Sequence, residues 1–138
     1  MTNGRPDLAA MLARLARQLI AIEQPILAEH DVSMWGYAVL TALRDEPMRT
    51  QAALARSIGA DKTRIIGILD ELQRRTLIER EPDPADRRVR LLRLTPAGRD
   101  LHSAVQAEIR SAEETMLGQL DDEERHFFLQ ALENLHRT

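Results

Sequence analysis

The sequence predicts a mainly α-helical fold with one small β-hairpin. Three observations predict it. Hydrophobic residues make up 43% of the 138 positions while aromatics make up 3%, so the core is built from Leu, Ile, Val, Ala and Met. Apolar residues recur at three- and four-residue steps through most of the chain, the period of an amphipathic helix. Between residues 77 and 95 the period changes to two, the signature of strands.

Leu8, Met11, Leu12, Leu15, Leu19, Ile22 and Ile26 give the first helix one apolar stripe. Pro25 removes a backbone hydrogen bond and is expected to kink or end it. Ser33 caps a second helix carrying Tyr37, Leu40 and Leu43, which Pro47 is expected to terminate. Thr50 caps a short third helix with Leu54 and Ile58 inside, and Gly59 closes it. Asp61 then caps a fourth helix. Two helices joined by a turn of three or four residues containing glycine form a helix-turn-helix. "LIEREP" (77–82) and "RVRLLRLT" (88–95) follow as two strands joined by a Pro/Asp turn. Thr95 and Pro96 open a fifth helix with Leu101, Val105, Ile109, Met116 and Leu120 in its stripe. Asp121, with Glu124 three residues on, opens a sixth that presents Phe127, Phe128, Ala131, Leu132 and Leu135. A helix-turn-helix followed by a hairpin is a winged helix-turn-helix, which places its second helix in the DNA major groove.

The fourth helix divides cleanly around its axis. Ile65, Ile68, Leu69 and Leu72 form the buried stripe. Thr63, Gly67 and Arg74 lie opposite, flanked by Arg64 and Arg75. Thr63 suits a phosphate or a base edge, and Arg64 suits guanine through two hydrogen bonds. An exposed mid-helix glycine costs about 0.5–1 kcal/mol relative to alanine, and close approach to a ligand at Gly67 would account for it. Asp70 and Glu71 on the same side oppose phosphate. The same pattern also describes an ordinary solvated helix face.

Four arginines fall between Arg87 and Arg93. Arg88, Arg90, Leu92 and Leu94 share one strand face, which turns from charged to apolar along its length. That pattern fits a hairpin rooted at Leu92 and Leu94 with residues 83–88 as its tip in solvent. A solubilised hairpin without a ligand is the bland alternative. Arginine suits a narrow minor groove and bidentate phosphate contact. Asp86 makes sense as a partner that fixes the direction of Arg88. The net charge of −3 conceals a net of +4 over residues 44–99 and −7 over the remainder. A basic central block fits a polyanion-binding face. Thr50, Gln51, Lys62, Thr63, Arg64, Gly67, Arg74, Arg75, Asp86, Arg87, Arg88 and Arg90 are the candidate DNA-binding residues.

These residues resemble the MarR family of multiple-antibiotic-resistance regulators. "DRRVRLLRLTPAGRDL" resembles its wing signature through Asp86, Arg88, Leu94, Thr95 and Gly98, and "LARSIGADKTRIIGILDELQRRTLIER" (54–80) resembles its helix-turn-helix. The resemblance covers nearly the whole chain. It implies an obligate homodimer on a pseudo-palindromic operator, usually as a repressor, with the first, fifth and sixth helices forming the dimer interface. It also implies release by a small, often aromatic, anion in many members. Lys62, Thr63 and Arg64 match the start of the family's recognition helix, Arg88 its minor-groove arginine and Asp86 the partner of that arginine. Thr76 departs from the pattern, which usually has glycine there, so a β-branched residue has to make a left-handed turn.

Dimerisation is also expected from the apolar stripes themselves, with Leu8, Met11, Leu12, Leu15, Phe127, Phe128, Leu132 and Leu135 as interface residues. A monomer would leave Phe127 or Phe128 in a large exposed patch. The expected division is a helical dimerisation region at 1–32 and 96–138 and a DNA-binding region at 33–95. The resemblance implies an effector cleft near Trp35 and Tyr37, early in the second helix, where Arg14 or Arg17 could pair an anion; core or interface packing explains the two aromatics equally well.

No Gly-rich phosphate loop or nucleophile elbow is present. His30, His102, His126 and His136 lack metal-ligand spacing and read as surface or interface residues. Neither an enzyme nor a cofactor is expected. Without cysteine there is no disulfide or thiol switch. No span of about 20 apolar residues and no basic-then-apolar start appear, so a cytoplasmic location is expected. The alternative function is a winged-helix protein–protein interaction module that binds no DNA.

Overall fold

The computed structural model describes residues 4–45 and 49–137. In chain order the elements are α1 (Leu8–Glu29), α2 (Met34–Asp45), β1 (Arg49–Thr50), α3 (Gln51–Ile58), α4 (Lys62–Arg74), β2 (Ile78–Pro82), β3 (Arg90–Leu94), α5 (Pro96–Leu117) and α6 (Asp122–His136). Two compact units share the chain: Gln24–Gln106, and Met1–Glu23 with Ala107–Thr138. The division falls within α1 and α5.

The 24–106 unit has a continuous core. Val39, Leu40 and Leu43 of α2 meet Leu54 of α3, Ile65, Leu69 and Leu72 of α4, and Leu92 and Leu94 of β3. The stripe expected on α4 is the buried one, except that Ile68 is only partly covered. The sheet is antiparallel with strand order β1-β3-β2, Ile78 lying opposite Leu94 and Pro82 opposite Arg90. Pro82 sits on an edge strand, where a missing N–H is tolerated. The third strand, β1, was not expected. Two residues are too short for a period, and β1 exists because Arg49 and Thr50 pair with Leu92 and Leu91.

Three helices of this unit end in the same way. At Asp31, Gly59 and Thr76 the backbone turns left-handed, with φ of 54°, 73° and 57°. The N–H groups of Val32, Ala60 and Leu77 reach back to the carbonyls of Leu27, Ala55 and Leu72, at 3.0 Å in each case. This is the Schellman closure, in which glycine normally supplies the left-handed residue. Only one of the three is glycine. Thr76 makes the turn expected of it. Asp31 ends α1, which therefore continues a full turn beyond Pro25 instead of stopping there. Pro47, expected to end α2, lies outside the described residues.

The N-termini follow the sequence closely. The Ser33 hydroxyl accepts the Gly36 N–H at 2.9 Å, Thr50 accepts Ala53 at 3.1 Å and Asp61 accepts Arg64 at 2.7 Å. Asp121 and Glu124 form the reciprocal capping box at α6. Helix α5 stops at Leu117, so Leu120 lies in the following turn and not in the stripe expected for it.

The other unit differs in character. Among its described residues only Ile109 is a buried hydrophobic side chain. Leu8, Met11, Leu12, Phe127, Leu129, Leu132 and Leu135 are exposed, while Leu15 and Phe128 are half-buried. Leu12, Leu15, Leu19, Met116, Leu117 and Phe128 line an apolar groove of about 320 Å³. A bidentate pair joins Arg125 to Glu114 with both contacts at 2.6 Å. No described helix is long and apolar enough to cross a membrane.

Candidate nucleic-acid interface

Helix α4 is held at both ends. Asp61 caps its first turn, and the Schellman closure at Thr76 ends it. Between them Lys62, Thr63 and Arg64 stand exposed in the first turn, with Gly67 one turn further along the solvent side. A Cβ placed on Gly67 would meet nothing within 4 Å, so nothing inside the fold demands glycine there. Ile66, not singled out from sequence, is 49% exposed beside this face. An exposed isoleucine on such a face can meet the methyl group of thymine.

The acidic residues expected to oppose phosphate are paired. Asp70 receives Arg80 of β2 at 3.2 Å, and Glu71 pairs with Arg74. Arg75 needs a correction. Its guanidinium donates to the backbone carbonyls of Asp31 at 2.5 Å and His30 at 3.3 Å, so it is committed to closing the end of α1. Long basic side chains commonly serve helix C-terminal carbonyls in this way. On α3, Thr50 spends its hydroxyl on the cap, and Gln51 is half-buried.

The wing is a rooted shaft with an ordered tip. Leu92 and Leu94 are buried. Arg93 is balanced on the shaft by Glu79 at 2.8 Å and Glu81 at 3.6 Å; these carboxylates, the Glu79 hydrogen bond foremost, raise its pKa further. At the tip the Asp83 N–H donates to Val89 at 2.8 Å, and the Asp83 carboxylate accepts the Ala85 N–H at 2.9 Å. Asp86 accepts both the backbone N–H of Arg88 at 3.1 Å and its Nε at 3.2 Å. The side-chain hydrogen bond from Arg88, then the backbone one, hold the Asp86 carboxyl below its ordinary pKa. Arg87, Arg88 and Arg90 are exposed.

Behind the wing, α4 hands over to β2 at Thr76. The Thr95 hydroxyl donates to the Thr76 carbonyl at 2.6 Å and accepts the Gly98 N–H at 3.0 Å. Gly98 is required, because a Cβ there would fall on the Leu77 carbonyl oxygen.

Of the residues expected around an effector, Trp35 and Tyr37 turn to different partners. Trp35 lies under Arg64, whose guanidinium carbon is 5.3 Å from the indole centroid. Tyr37 instead stacks on His102, with ring centroids 5.1 Å apart. Arg14 and Arg17 belong to the other compact unit. His102 corrects the expectation of a surface or interface histidine, being only 1% exposed within the single chain. Its Nε2 meets Thr41 at 3.0 Å and its Nδ1 meets Arg44 at 3.4 Å, while Arg44 also reaches Ser103. The signal for it was available: His102 is in helical phase with Val105 and Ile109. No group of three potential metal ligands exists among the described residues.

A capped helix-turn-helix followed by an arginine-tipped hairpin defines a winged-helix transcriptional regulator. Residues 30–89 match the sequence model of the MarR family. The transcriptional regulator HosA of Escherichia coli O111:H- is 33% identical over 105 residues, covering 76% of this chain and 78% of its own length. The HTH-type transcriptional repressor NicR of Pseudomonas putida is 30% identical over 125 residues, covering 91% and 79%. The structure of Bordetella bronchiseptica BpsR, described in terms of regulation of its DNA binding by 6-hydroxynicotinic acid, matches with a TM-score of 0.78. That likeness has 26% identity and covers 96% of this chain and 94% of BpsR. The chain belongs to the MarR family.

Proposed function

We propose that this chain is a cytoplasmic, homodimeric repressor of a pseudo-palindromic operator, without enzymatic activity, and that a small aromatic or anionic ligand releases it. The observation that carries the proposal is the exposed face of Lys62, Thr63, Arg64 and Gly67 on a helix anchored at both ends, beside acidic groups that are already paired. Lys62 and Thr63 contact phosphate, Arg64 reads a guanine edge, and Ile66 contacts a thymine methyl. Gly67 lets the helix come close. Arg88, steadied by Asp86, enters the minor groove, with Arg87 and Arg90 on the flanking phosphates. Thr50 and Gln51 approach the backbone at the start of α3. Arg75 is left out because its donors serve α1, and Arg74 acts only by balancing Glu71.

Residues 33–95 serve as the DNA-binding region, and 1–32 with 96–138 as the dimerisation region. Leu8, Met11, Leu12, Leu15, Phe127, Phe128, Leu132 and Leu135 supply the interface. The exposure of most of these residues around one buried side chain supports it, since such a unit lacks a core of its own. Ligand release is proposed from the likeness to BpsR. Trp35 and Tyr37 are not proposed as one aromatic ligand clamp, because they pack on Arg64 and His102 respectively.

Selection of bound sequences from random DNA with the purified protein tests the proposal. The expected product has two related half-sites about one helical turn, roughly 34 Å, apart. Affinity should fall steeply with salt, by about 0.9 in log K per neutralised phosphate for each unit of log[salt]. Arg64→Ala should cost roughly 1–3 kcal/mol at one base position. No selected sequence, or binding insensitive to salt, would leave the protein–protein module in its place.

A further inference from the structure

We propose that Trp35 is a positioning residue for DNA recognition: it holds the Arg64 guanidinium through its π face and leaves the arginine's hydrogen-bond donors free for a base edge. Trp35 acts in this way only if α4 is the recognition helix, as proposed above.

Trp35 is the chain's only tryptophan. It stands in the first turn of α2, half-buried, and is not among the side chains of the core cluster. Filling the interior therefore does not explain it. The guanidinium carbon of Arg64 lies over its ring at 5.3 Å from the centroid, within the range of a cation–π contact.

The three arginines of α4 and its C-cap illustrate the alternatives. Arg74 is paired with Glu71. Arg75 gives its donors to two backbone carbonyls. Among the described residues the guanidinium of Arg64 makes neither an ion pair nor a hydrogen bond; its partner is the indole. An aromatic face attracts the cation without using an N–H, so the planar fork stays available for guanine O6 and N7. Holding a long side chain in place before DNA arrives also reduces the ordering cost of binding.

Both backbones behind this contact are fixed. Arg64 donates its N–H to the Asp61 cap at 2.7 Å, and Gly36, next to Trp35, donates to the Ser33 cap at 2.9 Å. The contact therefore joins the first turns of two capped helices and gives Arg64 a defined origin from which to reach outward.

The test has two arms. In the DNA-free protein Trp35 is the sole indole, and Arg64→Ala should shift its emission and increase its quenching by acrylamide. Emission and quenching unchanged in a folded Arg64→Ala protein would overturn the contact itself. In the second arm, operator affinity is measured for Trp35→Leu, Arg64→Ala and the double variant. Trp35→Leu should weaken binding about 2- to 5-fold and relax preference at the same base position as Arg64→Ala. The double variant should bind no more weakly than Arg64→Ala alone. Trp35→Phe should restore part of the loss, and it replaces Trp35→Leu in the cycle if the leucine variant does not fold. Fully additive losses, or an equal loss at every position, would overturn the proposal. Additivity with a wild-type protein that still selects an operator removes the role of Trp35 alone; a wild-type protein that selects none removes the recognition helix with it.

Discussion

The hydroxyl of Thr95 donates to the carbonyl oxygen of Thr76 at 2.6 Å and accepts the N–H of Gly98 at 3.0 Å. One side chain thus ties the foot of the wing to the turn that ends α4, and caps α5 as well. Thr95→Val keeps the shape and loses both bonds. It should lower stability by about 0.5–1.5 kcal/mol for each bond, while Thr95→Ser should retain most of it. Chemical denaturation of the two variants measures the difference; equal midpoints would mean that neither bond stabilises the fold.

Thr76 holds a left-handed φ of 57° that a β-branched residue adopts at a cost. Thr76→Gly relieves that strain, and the Thr95 bond survives because it uses the backbone carbonyl. The gain should be about 1 kcal/mol, read as a higher denaturation midpoint. Loss of stability would mean that the Thr76 hydroxyl's bond to Arg75 outweighs the strain.

Two glycine-to-alanine changes should have opposite signs. Gly67 faces open space on a helix, so Gly67→Ala should stabilise the free protein by about 0.5–1 kcal/mol while weakening operator binding. Gly98 lies against the Leu77 carbonyl, so Gly98→Ala should destabilise by roughly 1–3 kcal/mol and disturb the wing. Thermal melts paired with binding titrations separate the two effects.

At the wing tip, Arg88→Ala should weaken binding to A·T-rich operators without changing the melting temperature, since the tip touches no core. Asp86→Asn should weaken binding less, by loosening Arg88. The Asp86 pKa is depressed in the fold, so its ordering effect is fully present above the usual carboxylate range and is lost as pH falls through the depressed value. Between pH 6 and 8, approximately, titration of this pair should leave affinity unchanged. A drop in affinity there that disappears in Asp86→Asn would contradict the assignment.

Glu23 has its pKa raised, first by burial and second by the charge of Glu113. A raised carboxyl favours the fold when protonated, so stability should decline as pH rises from the unfolded value through the folded one. Glu23→Gln should therefore raise the melting temperature at neutral pH and make little difference in acid. Identical melting curves for the two proteins across this range would show that the shift has no energetic consequence.

How much of this was legible in the sequence depends on how locally each feature is encoded. Ser33, Thr50, Asp61 and Asp121 act on an N–H three residues away, and all four caps could be read directly. The buried side of α4 and the Asp86–Arg88 pair were also local. Features made by distant partners were not. Strand β1 exists only through its pairing with β3, and the commitment of Arg75 depends on where α1 ends. Pro25 left open whether the helix kinks or ends there, and the left-handed turn that does end it is made by Asp31, a residue type with weaker preference for it than glycine. Trp35 and Tyr37 were expected to act together, but two positions along a helix point in different directions, one toward Arg64 and the other toward His102.

The cations of this chain are almost all arginine; Lys62, the first residue of α4, is its one lysine, and it is exposed. Apart from a free amino terminus, acylating reagents and acetyl-transfer enzymes therefore meet one primary amine in these 138 residues. Acetylation there would remove a positive charge from the face assigned to DNA and from nowhere else. A fluorophore carried on an amine-reactive ester would likewise arrive at a single known address.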